Sequence, residues 1–397
     1  MEYTFNTLPL PATYGRHFAK TIPFDELYRG LQANVLAGLI SVQKDGDLEL
    51  FNYTKNCSYD KGWNNFTVIA RGLILDVAKK EVVAISLPKF YNYGECGLIL
   101  PNEHYEITNK LDGSCIILFF ANNEWRTATR GSFKSDQAIW AKKWFDNHAK
   151  TYKDYLIPGF SYIFEVIYPE NKIVINYDFE GLVHLTAYDN DGYEFSRNDM
   201  VELANKSGIK LVDSISYSSI ESLLTAAETL DRHNEGFVVR FENGYRVKIK
   251  GKEYIRIHRI LSQITPLAIW DLLRNCDDLY VIRKELDEEM LSDFEKIVNL
   301  LSVKYYLLLG ELARLYEATK DKTDKETGIL LQTGFFQSVS HGIPGFVFAC
   351  RKHNFLNEVD KPGKLRTGFF NLLRPAANIL PGFTPSTAMN RFAEEEN

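Results

Sequence analysis

The chain has 397 residues, of which 45% are hydrophobic and 25% are charged, and its formal net charge is −6. This length allows two or three domains with sizeable cores. The acidic balance excludes a protein that attracts nucleic acid through its overall charge, so a nucleic-acid partner would need a local basic cleft.

Targeting signals and cysteine usage predict a cytoplasmic protein. The start of the sequence lacks the pattern of a signal peptide, and no apolar run is long enough to cross a bilayer. The cysteines are odd in number and form no Cys-x-x-Cys pair, which predicts reduced thiols with neither a zinc site nor a disulfide framework. They are Cys57, Cys96, Cys115, Cys276 and Cys350.

The first part of the chain has the pattern of antiparallel sheet. From about residue 33 to residue 259, short β-branched and aromatic runs alternate with turns. Residues 73–77 and 82–85 are two such runs joined by a lysine-rich turn, which predicts a β-hairpin. Because helical patterns are mixed among the strands without regular alternation, we expect an α+β domain.

The turn at Asp112-Gly113 predicts a second hairpin. It separates the apolar runs at 105–107 and 115–119, and Asp-Gly is a favoured two-residue hairpin turn. The residue two positions before this turn is Lys110.

Helices are predicted next in chain order. One covers 135–149, and another covers 197–206 with Ser196 as its N-cap.

The pattern becomes helical after about residue 262. Apolar residues recur at steps of four, four, three and four, which predicts one buried helix face: Leu286, Met290, Phe294, Ile297 and Leu301. Further helices are predicted to about residue 373, interrupted at 342–345 and at 362–363. We therefore predict a first domain over 1–260, an all-helical second domain over 261–397, and a frayed polar tail at 391–397.

Lys110 is a candidate nucleophile. A lysine attacks phosphorus only when neutral, whereas an isolated lysine of pKa about 10.4 is almost wholly protonated at neutral pH. Arg246, Lys248 and Lys250 alternate with apolar residues, so a strand would place all three on one face, where they could grip phosphates and lower the pKa of Lys110. Taken alone, a surface lysine beside a turn and a solvated strand face explain the same residues.

Two carboxylates complete the candidate pocket. Glu165 lies within an otherwise apolar strand, where a carboxylate is costly unless it is paired, hydrogen-bonded or metal-bound. Glu235 precedes a glycine and another apolar run. Two carboxylates near phosphates suit Mg²⁺. The alternatives are an ion-paired residue on an edge strand for Glu165 and an ordinary turn for Glu235.

Taken in order, these motifs resemble those of the covalent lysyl-AMP nucleotidyltransferase superfamily, which includes ligases and capping enzymes. More narrowly, the chain is similar to ATP-dependent RNA ligases of the bacteriophage tRNA-repair type. The resemblance covers roughly residues 65–260. It rests on Ala70-Arg71-Gly72, Pro88-Lys89-Phe90-Tyr91-Asn92, Lys110-Leu111-Asp112-Gly113, residues 130–135, Glu165, residues 171–174, Glu235-Gly236, the lysines at 248 and 250, and Tyr254.

The resemblance implies a role for each matching residue. Lys110 would form the bond to AMP, Arg71 and Lys89 would contact the ATP phosphates or the RNA 5′-phosphate, and Glu165 would contact the ribose. Glu235 would assist the metal, Mg²⁺ or Mn²⁺, while Lys248 and Lys250 would hold the α-phosphate. Asp277 and Asp278 match an acidic pair that some relatives carry and that touches metal, although an exposed helix start explains them equally well.

The function implied is ATP-dependent joining of RNA 3′-hydroxyl and 5′-phosphate ends in RNA repair, tRNA repair included. The RNA would be single-stranded or a broken tRNA loop, prepared in some cases by a separate kinase and phosphatase. The helical segment after Lys250 replaces the β-barrel of DNA ligases and capping enzymes, which favours RNA. Two alternatives stay open: a transferase that caps or adenylylates ends without sealing, and a non-catalytic, nucleotide-responsive RNA-binding module.

Overall fold

The computed structural model of the protein describes residues 15–95, 99–262, 264–286, 288–332, 342–353, 361, 363–376 and 378–385. These residues form two compact units, one that extends to Ile257 and one that begins at His258. Within the described ranges no helix is long and apolar enough to span a membrane. Cys57, Cys115 and Cys350 are free thiols, whereas Cys96 and the predicted tail at 391–397 lie outside the described residues.

All strands of the described chain lie in the first unit. They are β1 Ile40–Asp45, β2 Leu48–Tyr53, β3 Arg71–Asp76, β4 Glu81–Ala84, β5 Tyr91–Asn92, β6 Tyr105–Lys110, β7 Ser114–Ala121, β8 Glu124–Thr129, β9 Ser161–Ile167, β10 Gly181–Tyr188, β11 Ser214–Ile215, β12 Gly236–Phe241 and β13 Arg246–Lys250.

The helices are divided between the two units. They are α1 Phe24–Leu36, α2 Lys55–Tyr59, α3 Asn65–Ile69, α4 Asp136–Tyr152, α5 Arg197–Ser207, α6 Ile220–Thr229, α7 Lys252–Ser262, α8 Pro266–Asn275, α9 Tyr280–Glu285, α10 Glu288–Thr319, α11 Asp324–Gln332, α12 Ile343–His353 and α13 Lys364–Phe370. The boundary between the units falls inside α7.

The first unit contains three sheets. Their strand orders are β1-β2-β3-β4, β10-β9-β7-β8 and β11-β6-β12-β13-β5. Neighbouring strands are antiparallel, except that β5 runs parallel to β13. The mixed α+β architecture is therefore as predicted.

The first two sheets share a core at Gly72. Side chains of β3 and β7, among them Leu73 and Ile117, are fully buried in one cluster. Gly72 has φ +87°, and a Cβ atom there would lie 2.2 Å from the Ile117 side chain and 3.1 Å from the Arg130 backbone. Only glycine allows this approach, so the Arg71-Gly72 motif brings Arg71 close to the strand that follows Lys110.

The local predictions of the first unit have mixed outcomes. The hairpin of β3 and β4 is confirmed, as are helices α4 and α5. Ser196 does cap α5, because its hydroxyl accepts from the amide of Asp199 while the Asp199 carboxylate accepts from the amide of Ser196.

The predicted hairpin at Asp112-Gly113 is wrong. Strand β6 pairs with β11 and β12, whereas β7 pairs with β8 and β9 in a different sheet. The chain leaves one sheet and enters another at this point, because the Asp112 carboxylate accepts hydrogen bonds from a distant segment of the chain instead of closing a local turn.

The second unit is helical and is organised on α10. Four of the five predicted core residues, Met290, Phe294, Ile297 and Leu301, are buried on this helix. Leu286 precedes α10 and is only partly buried, so its place on the predicted face is wrong. The interruption predicted at 342–345 is also shorter than expected, since α12 begins at Ile343 and proline is tolerated in a first helical turn.

Candidate active site

Three adjacent strands place Lys110 and its partners at one end of the third sheet. Lys110 is the last residue of β6 and lies opposite Gly236 of β12, which in turn lies opposite Lys250 of β13. Gly236 has φ +142°, and a Cβ atom there would lie 2.1 Å from the Ile249 carbonyl oxygen, so the backbone is close-packed where these strands meet.

Glu235 joins the two lysines. Its Oε2 lies 2.7 Å from Lys110 Nζ, its Oε1 lies 3.0 Å from Lys250 Nζ, and its side chain is only 2% exposed. Although burial favours the neutral acid, the two ammonium groups outweigh it and hold the pKa of Glu235 below its usual range. Glu235 is therefore a buried anion that both lysines share.

The predicted lowering of the Lys110 pKa is wrong for the protein alone. Burial does favour the neutral amine, but the negative charges of Glu235 and Glu165 outweigh it and raise the pKa of Lys110 above its ordinary value. The cations of β13 favour a lower pKa, but Glu235 contacts Lys110 directly. In this state Lys110 is an ammonium ion held in place by Glu235.

The lysine with a lowered pKa is Lys248. Burial and the positive charges of Lys89, Lys110, Lys250 and Arg71 lower the pKa of Lys248 to about 7. Its Nζ lies 5.9 Å from the Phe90 ring centroid, within cation–π range. A bound anion would therefore raise the pKa of Lys248 and keep this lysine charged.

Glu165 enters the site from the second sheet. It lies on β9, which has β10 on one side and β7 on the other, so the alternative of an edge-strand residue is wrong. Burial and the nearby carboxylates of Glu235 and Asp112 raise the pKa of Glu165 to about 8, although Lys110 and Arg71 act in the opposite direction. A carboxyl group whose pKa lies near neutral pH can exchange a hydrogen bond with a ligand hydroxyl, or bind a cation when it is ionised.

Asp112 fixes the segment that follows Lys110. Its Oδ2 accepts from the amides of Val174 and Ile175, each at 2.8 Å, and its Oδ1 accepts from the Tyr254 hydroxyl at 2.8 Å. Sequence reasoning treated Asp112 as a turn residue and gave Tyr254 no role. Both residues lay inside the motifs, but the contact between positions 142 residues apart has no local signal.

Arg71 and Lys89 lie near Lys248. Arg71 donates to the Leu87 carbonyl at 3.3 Å, and its guanidinium lies 6.0 Å from the Phe90 ring centroid. The Lys89 ammonium lies 5.2 Å from the Trp63 ring centroid. Lys89, which lies in the loop before β5, and Arg71 of β3 are also among the charges that lower the pKa of Lys248.

The matching protein family covers this whole set of residues in the first unit. Residues 69–254 match the family model described as RNA ligase. Over these residues, which make up less than half of the chain, the sequence is similar to RNA ligases. The predicted resemblance to RNA ligases is therefore confirmed.

Individual proteins are also similar to parts of the chain. An RNA ligase of Rhodothermus phage RM378 is 24% identical over 329 residues, which span 64% of this chain and 74% of the relative. A structure of Naegleria gruberi RNA ligase with ATP and Mn is similar with a TM-score of 0.33 at 16% identity, over 40% of this chain and 52% of that one. An archaeal ATP-dependent RNA ligase has a TM-score of 0.47 at 12% identity, over 71% and 83% of the two chains.

Arg246 does not extend the basic face of the site. Its guanidinium forms a close ion pair with Glu194, whose other carboxylate oxygen accepts from Arg240 at 3.1 Å. The side chains of Arg246 and Glu194 are largely inaccessible to solvent, and Thr186 donates a further hydrogen bond to Glu194. The predicted ridge of three cations is therefore wrong: Arg246 has a structural partner, and only Lys248 and Lys250 face the site.

The acidic pair Asp277-Asp278 lies in the second unit, just after α8. The amide of Asp277 donates to the Leu272 carbonyl at 3.0 Å, and the Asp278 carboxylate accepts from the amide of Tyr280 at 2.9 Å. These bonds connect the end of one helix to the start of the next, which is the alternative that the sequence left open. The metal role of the pair stays a prediction.

A divalent cation fits the site if it enters with a nucleotide. Among the described residues, no group of three His, Cys, Asp or Glu side chains could hold a metal ion. The site carboxylates are Glu165 and Glu235, and Glu235 already accepts from two lysines. Mg²⁺ often binds through one or two carboxylates and completes its coordination with substrate phosphates and water.

Proposed function

We propose that the protein is an ATP-dependent RNA ligase that joins a 3′-hydroxyl to a 5′-phosphate through a lysyl-AMP and an RNA-adenylate. The observation that carries this proposal is the arrangement around Lys110. A partly buried lysine, fixed by a carboxylate that it shares with Lys250, lies beside Lys248 and within the segment that matches the RNA ligase family.

The first step is attack of Lys110 on the α-phosphorus of ATP. The lysine enters as an ammonium ion, releases a proton to solvent, and forms an Nζ–P bond while the bond from the α-phosphorus to the bridging oxygen breaks and pyrophosphate leaves. Lys248 and Lys250 hold the α-phosphate and neutralise the charge that develops on its oxygens. Such fixed charges in a buried site supply most of the catalysis in phosphoryl transfer.

The second step reverses the chemistry at Lys110. An oxygen of the RNA 5′-phosphate attacks the lysyl-AMP, the N–P bond breaks, and the amine takes up a proton. Glu235 favours this step because it stabilises the ammonium ion that leaves, in agreement with the raised pKa of Lys110. In the third step the 3′-hydroxyl attacks the activated 5′-phosphate, AMP is expelled and the proton of the hydroxyl is released.

The other site residues hold the substrates. Arg71 and Lys89 contact phosphates of ATP or the RNA 5′-phosphate, and Glu165 contacts the ribose hydroxyls. Mg²⁺ or Mn²⁺, when bound, neutralises charge on the phosphates, and Glu235 assists in holding it.

We propose that residues 1–260 are the nucleotidyltransferase domain and that residues 261–397 contribute to RNA specificity, with Asp277 and Asp278 as candidate metal contacts. The family resemblance and the helical second unit support this division. We further propose that the protein acts in the cytoplasm in RNA repair, on single-stranded RNA or a broken tRNA loop, after a separate kinase and phosphatase have prepared the ends. The cysteine pattern supports a reducing compartment.

A sealing assay tests the proposed function. RNA with a labelled 5′-phosphate and a free 3′-hydroxyl is incubated with the protein, ATP and Mg²⁺, and a DNA strand of the same sequence serves as a control. We expect an RNA-adenylate and then a joined or circular product whose label resists phosphatase. Lys110→Arg, which keeps the positive charge but cannot form the adduct, should give neither product.

Other outcomes select the alternatives. RNA-adenylate that never proceeds to a sealed product contradicts ligation and identifies an end-adenylylating transferase. Neither product, from protein that binds ATP, contradicts both enzymes and leaves the nucleotide-responsive binding module.

A further inference from the structure

Two different sheets supply the residues of the site. Lys110 is the last residue of β6 in the third sheet, whereas Glu165 lies on β9 in the second sheet. The chain passes directly from one sheet to the other through Asp112-Gly113, at the end of each sheet that holds the site. The opposite ends of the two sheets would be free to separate unless other contacts joined them.

These opposite ends, which we call the remote ends, carry a set of polar side chains. Arg240 lies on β12 four residues beyond Gly236, the partner of Lys110, and therefore about 13 Å along the strand from the site. Arg246 is the partner of Arg240 on β13. In the second sheet, Thr186 lies near the remote end of β10.

Glu194 joins the remote ends of the two sheets. Its side chain is 2% exposed and forms a close ion pair with Arg246. Its Oε2 accepts from Arg240 Nε at 3.1 Å, and its Oε1 accepts from the Thr186 hydroxyl at 2.7 Å. The backbone of Glu194 forms an antiparallel bridge with Tyr188, the last residue of β10. One carboxylate therefore connects β10 of the second sheet with β12 and β13 of the third.

Two neighbouring contacts reinforce this connection. Arg197, the first residue of α5, has its Nε 3.3 Å from the Glu106 carboxylate on β6, so the same segment also reaches a third strand of the third sheet. Gly15 adds a backbone link, because its carbonyl accepts from the amide of Glu194 at 3.0 Å while its own amide donates to the Asn243 carbonyl at 3.0 Å. Asn243 lies in the turn between β12 and β13.

The charge on Glu194 makes the connection directional. Burial by itself favours the neutral acid, but the positive charges of Arg246 and Arg240 outweigh it and hold the pKa of Glu194 below its usual range. Glu194 is therefore ionised and accepts charge-assisted hydrogen bonds, which are stronger than neutral ones and have a defined geometry. Apolar side chains could fill the same volume but would not fix the angle between the sheets in this way.

We propose that Glu194 is a positioning residue for the transfer of AMP to Lys110, because it fixes the angle between the second and third sheets and with it the place of Glu165 relative to Lys110. The inference rests on the proposed function, which gives Lys110 and Glu165 their roles. A displacement of about 1 Å caused by a distant substitution can cost about a hundredfold in rate. The largest electrostatic effects on Glu165 do not come from Glu194 or its arginines, so the influence is exerted through the sheets.

The test removes the ion pair without leaving a buried charge unpaired. Glu194→Met/Arg246→Met replaces the pair by apolar side chains of similar length, a change that is often neutral for stability. Arg240 is 22% exposed, so its charged end can turn to water. The rate of lysyl-AMP formation at saturating ATP is measured together with the thermal unfolding of each variant.

Glu49→Met is the matched control. Glu49 is also a buried carboxylate of the first unit. Its partners are Lys44, at 2.6 Å on the neighbouring strand of the first sheet, and Tyr28 of α1, at 3.2 Å. Glu49 thus has no part in joining the second and third sheets.

We expect the double variant to form lysyl-AMP at least about tenfold more slowly than the wild type while its unfolding temperature stays close to that of the wild type. Glu49→Met should change the rate by less than about twofold. An unchanged rate in the folded double variant would overturn the inference, as would an equal fall in Glu49→Met.

A double-mutant cycle with Glu165 distinguishes positioning from a general structural role. Effects of independent, distant substitutions multiply in the rate. If Glu194 acts through the place of Glu165, Glu165→Gln should slow the double variant at least about threefold less than it slows the wild type. An equal cost in both backgrounds would overturn the inference. If the double variant does not fold, Arg240→Met decides by the same cycle, because it cuts the contact with β12 and keeps the pair of Glu194 and Arg246.

A binding measurement separates this inference from the proposed function. The same cycle is measured as the Kd of ATP in protein that carries Lys110→Ala and cannot form the adduct. Wild-type protein that forms no lysyl-AMP contradicts the proposed function alone. A Kd that Glu165→Gln raises by the same factor with and without the ion pair contradicts the positioning role of Glu194, whatever the wild-type protein does.

Discussion

At the scale of single residues, two lysines of the site have pKa values that are shifted in opposite directions. Lys110 is paired with Glu235 and is held as an ammonium ion, whereas the pKa of Lys248 is lowered to about 7. On pKa alone Lys248 would be the better nucleophile at neutral pH. We assign the attack to Lys110 because the family motif and its position opposite Gly236 select it, and we assign phosphate binding to Lys248.

The lowered pKa of Lys248 predicts how ATP binding depends on pH. Lys248 is charged below about pH 7 and neutral above it, so ATP that binds at higher pH must bring in a proton. We expect the Kd of ATP, measured without divalent metal by calorimetry, to rise roughly tenfold from about pH 7 to about pH 8.5.

Lys248→Arg supplies the control for this pH dependence. Arginine keeps its charge over the whole range, so the Kd of the variant should depend on pH much less than that of the wild type. The dependence that is left would come from Glu165, whose pKa lies at about 8. The same slope in the variant and the wild type would show that another group titrates.

At the scale of elements, the segment between β6 and β7 shows that local sequence signals do not predict contacts between distant parts of the chain. The hairpin of β3 and β4 and the cap of α5 were predictable, because each depends on residues a few positions apart. The Asp112-Gly113 turn carries an equally good hairpin signal. It joins two sheets instead, since Asp112 binds Val174, Ile175 and Tyr254, which lie far along the chain.

Substitutions of Asp112 should separate hydrogen bonding from charge. Asp112→Ala leaves two buried amides and the Tyr254 hydroxyl without their acceptor, and we expect it to lower the free energy of unfolding by about 3 kcal/mol. Asp112→Asn keeps an acceptor for the amides and can donate to Tyr254, so it should lose less than about 1 kcal/mol. Urea denaturation measures both; equal losses would mean that the negative charge, and not the acceptor geometry, stabilises this segment.

At the scale of the whole molecule, the sequence motifs predicted most of the residues of the site. The candidates Lys110, Glu235, Lys250, Lys248 and Glu165 could be named from the sequence, and the structure brings them together in the first unit. Trp63, whose ring lies beside Lys89, could not, because it lies in a region where the family pattern is weak and a lone aromatic residue is equally typical of a core. The direction of the Lys110 pKa also required the structure, since it depends on which of several nearby charges is closest.

The division of the chain predicts which truncations keep the first step. Tyr254 and Ile257 of α7 are buried in the first unit, and Tyr254 binds Asp112. A chain that ends after Ser262 keeps all of α7 and should form lysyl-AMP, whereas one that ends after Gly251 loses this support and should not. Label transfer from ATP to soluble protein measures both. Adduct formation by the shorter chain would show that α7 is dispensable for adenylylation.

The most direct test of the central claim is to locate the AMP on the protein. Protein freed of any bound adenylate is incubated with ATP and Mg²⁺, digested, and examined by tandem mass spectrometry. Our account predicts one AMP per chain, attached to Lys110 and absent from Lys110→Arg. An adduct on Lys248, or no adduct in protein that binds ATP, would contradict it.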